Sequence, residues 1–224
     1  MEPRIYPLRQ PQVSELVIEA RVRDSVQADG RPSELVDIFA PRRLSPRQVD
    51  VINKLLAAAV EEAEASGPDG FTVRGAARRA GVAPATAYNY FSCKEHLLAE
   101  AMWRRMHDLP LVEGESGGTT YQRVVKVLST LGTFVADMPG FSAACTVALL
   151  SSSPDVKRLL AKIAGEIHRR ITLALGNDAD PSTVITLEMA YSGAMITVGM
   201  GYLTFADLPG QLEQVARCVL GDTK

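Results

Sequence analysis

The sequence has few cysteines and no long apolar run. Its three cysteines, Cys93, Cys145 and Cys218, are widely spaced and form no CxxC pair, which argues against a disulfide framework and a thiolate zinc site. No segment reaches the roughly 18 consecutive apolar residues of a membrane-spanning helix. The first residues also lack the apolar core of a secretory signal. We therefore expect a protein of the reducing cytoplasm that has no membrane partner.

Histidine is also scarce, and its placement does not suggest catalysis. The three histidines, His96, His107 and His168, are scattered, and the chain shows no Ser-His-Asp order, phosphate loop or catalytic pair of carboxylates. Cys93 and His96 have the i, i+3 spacing that can hold a metal, but no second ligand pair accompanies them. The sequence thus gives little support for an enzyme. We expect no catalytic residue, no cofactor and no metal.

The chain has no overall excess of positive charge, since its net charge is −2. This would argue against a nucleic-acid partner, because phosphates are neutralised by Lys and Arg. The charge is unevenly distributed, however: residues 41–106 have a net charge of +3, whereas residues 1–40 have −2 and residues 107–224 have −3. A local basic region is expected if one part of the chain meets DNA. Most of its positive side chains are Arg42, Arg43, Arg47, Arg74, Arg78, Arg79, Lys94, Arg104 and Arg105.

The 224 residues, 46% of them hydrophobic, suffice for one large or two small domains. The first segment with a clear pattern, residues 45–67, has apolar residues at three- and four-residue steps and predicts an amphipathic helix. Ser45 fits its N-cap and Pro46 its first position, while Gly67 and the proline after it end the helix.

Three further helices are predicted before residue 108. Thr72 caps a short helix that stops at Gly81, a residue that adopts the left-handed conformation of a tight turn at little cost. The next helix runs from Pro84 to Phe91. A longer one then starts at residues 92–95, which have capping-box spacing. Two helices joined by such a short turn are typical of a helix-turn-helix.

The second half of the chain also predicts helices. Residues 108–120 are rich in Pro, Gly and acidic residues and separate two parts of the chain. Five more helices are expected beyond this break, at about residues 121–138, 141–150, 155–175, 182–205 and 208–220.

The resulting fold class is all-α, with three regions. Residues 1–44 form an N-terminal extension, in which only residues 16–22 alternate with the two-residue period of a strand, so a short strand and a disordered arm both remain open. Residues 45–107 form the helix-turn-helix domain, and residues 108–224 form a helical domain.

The helix-turn-helix segment, TVRGAARRAGVAPATAYNYFSCKEHLL, resembles the DNA-binding helices of the tetracycline-repressor (TetR) family. That family has a Thr-Val start, Ala and Gly around the turn, and then Gly-Val-Ser-x-x-Thr-x-Tyr-x-Tyr-Phe-x-x-Lys-Glu-x-Leu. With the preceding helix the resemblance covers about 55 residues. The matching positions are Thr72, Val73, Ala77, Gly81, Val82, Thr86, Tyr88, Tyr90, Phe91, Lys94, Glu95 and Leu97.

A helix of this length, presented by a tight turn, can enter the major groove and place its side chains against base edges. Small Ala85 and the methyl group of Thr86 suit a thymine methyl, and Asn89 suits an adenine edge. We therefore expect these three residues to read bases.

Phosphate contacts are expected from neighbouring donors. Tyr88, Tyr90 and Lys94 carry phenol hydroxyls and an ammonium that donate towards negative charge. The two tyrosines lie two residues apart and cannot share a helix face, so we expect one to be partly buried, with Tyr90 the favoured phosphate donor. The resemblance further implies that Thr72 and Arg74 clamp neighbouring phosphates. Arg78 and Arg79 fit an ordinary solvated face better.

Two positions depart from the family pattern. Ala83 stands where the family has a capping Ser, and Cys93 stands where a small polar cap is usual. Each change removes a side-chain acceptor worth about 1 kcal/mol. We expect Ser92 to cap the helix that follows it.

The resemblance implies that the second half binds a small effector and forms a homodimer. The apolar residues that would line an effector pocket would equally fit a plain core, and they suit a hydrophobic ligand. The candidate pocket residues are Phe134, Met138, Phe141, Leu149, Ile163 and Ile167.

Residues 186–205 are apolar on more than one face and interspersed with small residues, as expected of a helix buried at a subunit interface. With residues 208–220 they would form a four-helix dimer interface. The candidate interface residues are Tyr191, Gly193, Met195, Val198, Tyr202, Leu212, Val215 and Val219.

The sequence therefore predicts a ligand-responsive transcriptional regulator. We expect a homodimeric repressor that binds a palindromic double-stranded DNA operator and is released by a small, hydrophobic effector. The alternative is a sequence-tolerant architectural DNA-binding protein without an effector, for which an acidic chain is a poor fit.

Overall fold

The computed structural model describes residues 45–111, 118–176 and 179–221. Those residues form α-helices and a single 3₁₀ turn at Phe205–Asp207, without any strand, so the predicted all-α fold is confirmed. The predicted strand or arm at residues 16–22 lies outside the described residues. The helices are α1 (Pro46–Gly70), α2 (Val73–Arg79), α3 (Pro84–Tyr90), α4 (Lys94–His107), α5 (Thr120–Ala136), α6 (Pro139–Leu149), α7 (Pro154–Leu175), α8 (Pro181–Gly199) and α9 (Leu208–Leu220).

The first helix begins as the sequence predicts. The Ser45 hydroxyl accepts from the Gln48 amide and the Gln48 side chain accepts from the Ser45 amide, which completes a capping box. The predicted end at Gly67 is a kink instead, since Gly67 has φ 67° and one further helical turn follows it. The buried side of α1 packs against α2, α4 and α6.

Helix α4 joins the N-terminal helices to the rest of the molecule. It packs against α1 on one side and against α6 and α7 on the other. The prediction that Ser92 caps this helix is wrong, because Cys93 is the N-cap and its Sγ accepts from the His96 amide at 3.4 Å. Sulfur is a weak acceptor, so the cap is weaker than the family's polar one.

The carboxyl end of α4 is held by a buried arginine of α7. Arg170 is 3% exposed and donates to the carbonyls of Met106 at 3.2 Å, Leu109 at 2.8 Å and Pro110 at 2.8 Å. Its Nε donates to Glu166 at 2.7 Å. Burial alone would raise the pKa of Glu166, but the hydrogen bonds and charges of its arginine neighbours lower that pKa. The unpaired carbonyls of a helix end thereby gain charged donors.

Helix α5 packs against α7 and α9, and α8 packs against α6, α7 and α9. Helices approach closely at two glycines: a Cβ at Gly132 of α5 would lie 3.1 Å from the backbone of Pro209 in α9, and a Cβ at Gly140 of α6 would lie 2.5 Å from the Glu64 carbonyl oxygen in α1. The helix predicted over residues 182–205 ends earlier, at Gly199, because Gly201 turns the chain with φ 79°.

Over residues 45–111, 118–176 and 179–221, no single helix is long and apolar enough to cross a membrane. Only the pair α5 and α6, bent by 101°, passes by length and composition when taken together.

Candidate nucleic-acid interface

The turn between α2 and α3 has the geometry that the sequence predicts. Gly81 has φ 66°, its amide donates to the Arg78 carbonyl at 3.2 Å, and the Val82 amide donates to the Ala77 carbonyl at 2.9 Å. These two bonds form a Schellman motif, which satisfies the last carbonyls of α2. Ala77 is fully buried, so the two helices approach closely at this turn.

Helix α3 is seated on one buried residue and exposes the opposite face. Ala87 is fully buried, whereas Ala85 and Asn89, four residues apart, are both exposed on one face. Thr86 is half-buried. Two of the three candidate base readers therefore lie together on the exposed face, and the third lies at its edge.

The two tyrosines of α3 differ in exposure. Tyr88 is 49% exposed, whereas Tyr90 is partly buried and packs against the core. The residue favoured from the sequence as phosphate donor is therefore the one that packs. Exposure favours Tyr88 for that role.

The other candidate phosphate contacts lie at helix starts. Thr72 is the N-cap of α2, where its Oγ1 accepts from the Gly75 amide at 3.0 Å, and Arg74 is exposed in the first turn. Lys94 is the exposed first residue of α4. Among the described residues neither Arg74 nor Lys94 forms an ion pair. Backbone amides and cations at helix starts attract anions.

Arg79 is already paired within the protein. Its Nε and Nη2 donate to Glu62 at 3.1 and 3.0 Å, and Glu61 lies 3.6 Å away. Its charge is largely compensated by α1, whereas exposed Arg78 has no such partner in the described ranges.

A polar cluster at the end of α3, which the sequence did not predict, connects it to α7. The Ser92 hydroxyl donates to Asp155 at 2.7 Å, and the Ser92 amide donates to Nδ1 of His96 at 3.3 Å. The Ser92 hydrogen bond lowers the pKa of Asp155; burial opposes this, and Arg158 and His96 add to the lowering. No local signal could have indicated the contact, because 63 residues separate Ser92 from Asp155.

Comparison with known proteins agrees with this geometry. Residues 55–101 match the model of bacterial regulatory proteins of the tetR family. Uncharacterized HTH-type transcriptional regulators of Mycobacterium bovis and Mycobacterium tuberculosis are 42% identical over 176 residues, which cover 78% of this chain and 82% of theirs. The chain belongs to the TetR family of bacterial transcriptional regulators.

Solved structures show the same fold as this TetR-family regulator. A TetR regulator from Rhodococcus sp. RHA1 aligns with a TM-score of 0.63 and 20% identity, over 80% of this chain and all of that one. The FadR of Bacillus subtilis, solved in complex with stearoyl-CoA, aligns with a TM-score of 0.52 and 18% identity, over 73% of this chain and 96% of that one.

A cavity of about 790 Å³ lies between the end of α4 and α5 of the regulator. Of the six pocket residues suggested by the sequence, Phe134 lines this cavity and Met138 lines a neighbouring one of about 420 Å³. The other four line neither cavity and pack in or against the core: Phe141, Leu149, Ile163 and Ile167. Sequence periodicity cannot separate pocket from core, because both need apolar side chains.

The candidate dimer residues also differ in how exposed they are within one protomer. Leu212, Tyr191 and Val198 are 1%, 5% and 9% exposed within one protomer, so they are largely used by its own core. Tyr202 is 81% exposed and Gly193 is also exposed. The remaining candidates, Met195, Val215 and Val219, are half-buried.

Helix α8 carries an exposed apolar stripe that the sequence did not predict. Ile185, Met189, Ile196 and Met200 are 53%, 70%, 49% and 66% exposed, and their spacing places them along one side of the helix. The sequence concealed this side because α8 is apolar nearly all round.

The described residues contain no group of three or more His, Cys, Asp and Glu side chains arranged to hold a metal ion.

Proposed function

We propose that this TetR-family regulator is a ligand-responsive repressor. A homodimer binds a palindromic operator in double-stranded DNA, and a small apolar effector releases it. The proposal rests mainly on the exposed face of α3. Ala85 and Asn89 are exposed on this face, whereas Ala87 is buried. A short helix presented by a tight turn fits the major groove.

The contacts divide into base readers and phosphate holders. Ala85, Thr86 and Asn89 contact base edges, because they are on or beside the exposed face of α3. The phosphates are held by side chains at the starts of α2 and α4 and by the exposed end of α3. The proposed phosphate contacts are Thr72, Arg74, Tyr88 and Lys94, with a smaller contribution from the partly buried Tyr90.

The dimer forms through α8 and α9. The exposed stripe of α8, which includes Met189 and Ile196, would be covered by the same stripe of a second copy across a two-fold axis. Such an exposed apolar row on a regular helix usually marks an interaction surface. A two-fold dimer matches the symmetry of two operator half-sites.

Effector control acts through α4. The large cavity is lined by Leu109 and Pro110, whose carbonyls hold Arg170 at the carboxyl end of α4. The amino end of the same helix follows α3 directly. A ligand that displaces one end of α4 therefore changes the position of α3, and by linkage DNA weakens the binding of that ligand.

We also propose a working division of the chain into residues 45–107 for DNA binding and 108–224 for effector binding and dimerisation. The regulator has no enzymatic role and acts in the cytoplasm. An effector with an apolar body agrees with the acyl chain of the stearoyl-CoA bound by the B. subtilis FadR, a protein of the same fold.

The proposal is tested by gel-shift titration of the full chain against fragments of its own upstream region and of coding DNA. Specific, salt-sensitive binding to one fragment, at dimer stoichiometry, is the expected result. Equal affinity for every fragment would instead support the architectural alternative. Absence of binding to all upstream fragments would reject both.

A further inference from the structure

Arg105 of α4 differs from its neighbouring arginines in lacking a counter-charge. Arg104 donates to Glu100 at 2.8 Å and to Asn53 at 2.9 Å, and Arg170 is fully engaged with carbonyls and Glu166. Arg105 is half-buried, its Nε is removed from solvent without a hydrogen-bond partner, and it forms no ion pair within the described residues.

The guanidinium is held in place by two aromatic rings. It lies 5.7 Å from the ring centroid of Phe134 and 5.8 Å from that of Phe141. Cation–π contacts of this kind favour a guanidinium close to the faces of the rings. They orient the charge but satisfy none of its N–H donors, and buried donors without partners are rare in folded proteins.

This charge faces two cavities that are open to solvent. Arg105 lines both the cavity of about 790 Å³ and the neighbouring cavity of about 420 Å³. The larger volume falls within the roughly 300–1,000 Å³ of small-molecule sites. Its apolar walls include Leu109, Tyr121, Val125 and Phe134. An apolar body would therefore lie next to an unpaired cation.

The other charges in the lining limit the charge of the ligand. Lys126 adds one positive charge to that of Arg105, while Asp108 and Asp137 add two negative charges, so the cavity is balanced overall. One carboxylate can pair with the planar guanidinium through two parallel bonds. A dianionic phosphate would bring further negative charge close to the two aspartates.

We propose that this cavity is the effector site and that Arg105 binds the carboxylate of a monocarboxylic acid with an apolar body. The regulatory consequence rests on the proposed function, whereas the binding itself does not. Because Arg105 belongs to α4, its new ion pair forms on the helix that positions α3.

The test is isothermal titration of the full chain with decanoate, with decan-1-ol and with decyl phosphate. Decanoate should bind at least tenfold more tightly than either of the others. Equal or tighter binding of decan-1-ol would overturn the assignment of a carboxylate, and tighter binding of decyl phosphate would overturn the limit to one negative charge.

Two charge-removing variants identify the anchor. Arg105→Met should weaken decanoate binding about tenfold or more and leave decan-1-ol binding unchanged. Lys126→Met removes the other cation of the cavity and should change decanoate binding less than threefold. Unchanged decanoate binding by Arg105→Met, or an equal loss in both variants, would contradict the proposal.

Folding and function are separated by two further measurements. Thermal unfolding establishes whether Arg105→Met is folded; if it is not, Arg105→Lys replaces it, with a smaller but measurable loss expected because the bidentate geometry is lost. DNA binding is measured on the same preparations. Specific DNA binding without decanoate binding would overturn this inference alone, whereas decanoate binding without operator recognition would overturn the proposed function alone.

Discussion

At the residue scale, the two tyrosines of α3 differ in how far they are buried. The sequence alone could place Tyr88 and Tyr90 on different faces, but it could not determine which face was outward, because that depends on where α3 meets α2 and the core. In the structure Tyr88 is exposed and Tyr90 packs against the core. The hydroxyl with freer access to phosphate is thus that of Tyr88.

A matched pair of substitutions tests this difference. Tyr88→Phe should weaken DNA binding by about 0.5–1.5 kcal/mol, the net value of one hydrogen bond, for operator and non-operator DNA alike, because phosphate contacts carry no sequence information. Tyr90→Phe should have a smaller effect. Fluorescence anisotropy with labelled duplexes gives both affinities. A larger loss for Tyr90→Phe would restore the role suggested by the sequence.

The pH dependence of stability should report the contact between Ser92 and Asp155. The lowered pKa of Asp155 means that its contribution to the free energy of unfolding is full above the ordinary value of about 3.9 and is lost as the pH falls through the lower folded value. Asp155→Asn should therefore destabilise the protein by about 1 kcal/mol at neutral pH, and the difference from wild type should shrink below about pH 4.

Urea unfolding at several pH values measures this effect. Ser92→Ala serves as the second arm of a double-mutant cycle, and its loss should not add to that of Asp155→Asn because the two side chains share one hydrogen bond. Additive losses at neutral pH would show that Asp155 acts through its other neighbours.

At the element scale, local sequence patterns predicted the helices, whereas contacts between distant helices determine which of their faces are buried and which line the cavity. The turn at Gly81 and the caps at Ser45 and Thr72 could be derived from the sequence because each motif involves residues within a few positions of one another. The cavity lining, the Arg170 clamp and the exposed stripe of α8 could not, since they depend on contacts between distant helices.

The crossing of α1 and α6 gives a test of such a contact. A Cβ at Gly140 would lie 2.5 Å from the Glu64 carbonyl oxygen, so Gly140→Ala must separate the two helices or distort them. We expect a loss of about 1–3 kcal/mol in the free energy of unfolding. The matched control is Gly165→Ala in α7, where the added methyl meets no atom within 4 Å.

The control should be stabilised by about 0.5–1 kcal/mol, because alanine is the better helix former. Chemical denaturation of both variants provides the comparison. If Gly140→Ala were as stable as wild type, α1 and α6 would not approach as closely as described.

At the scale of the whole molecule, the proposed function requires two copies. Met189, in the exposed stripe of α8, is 70% exposed in one protomer. A dimer formed through this stripe would bury it. Met189→Asp should leave the fold intact and shift the protein to monomer, as sedimentation velocity would show. Val49→Asp, at a 41% exposed apolar residue of α1, should remain dimeric. If the Met189→Asp variant remained dimeric, the dimer interface would not include this stripe.

The proposed contact between α3 and the bases is tested by Asn89→Ala. The measurement is the ratio of affinities for the operator and for scrambled DNA, with Lys94→Ala as the control. Asn89→Ala should lose about 1–3 kcal/mol of discrimination while non-specific affinity stays nearly constant. Lys94→Ala should weaken binding to both duplexes alike. An Asn89→Ala variant that keeps the full operator preference would contradict the account.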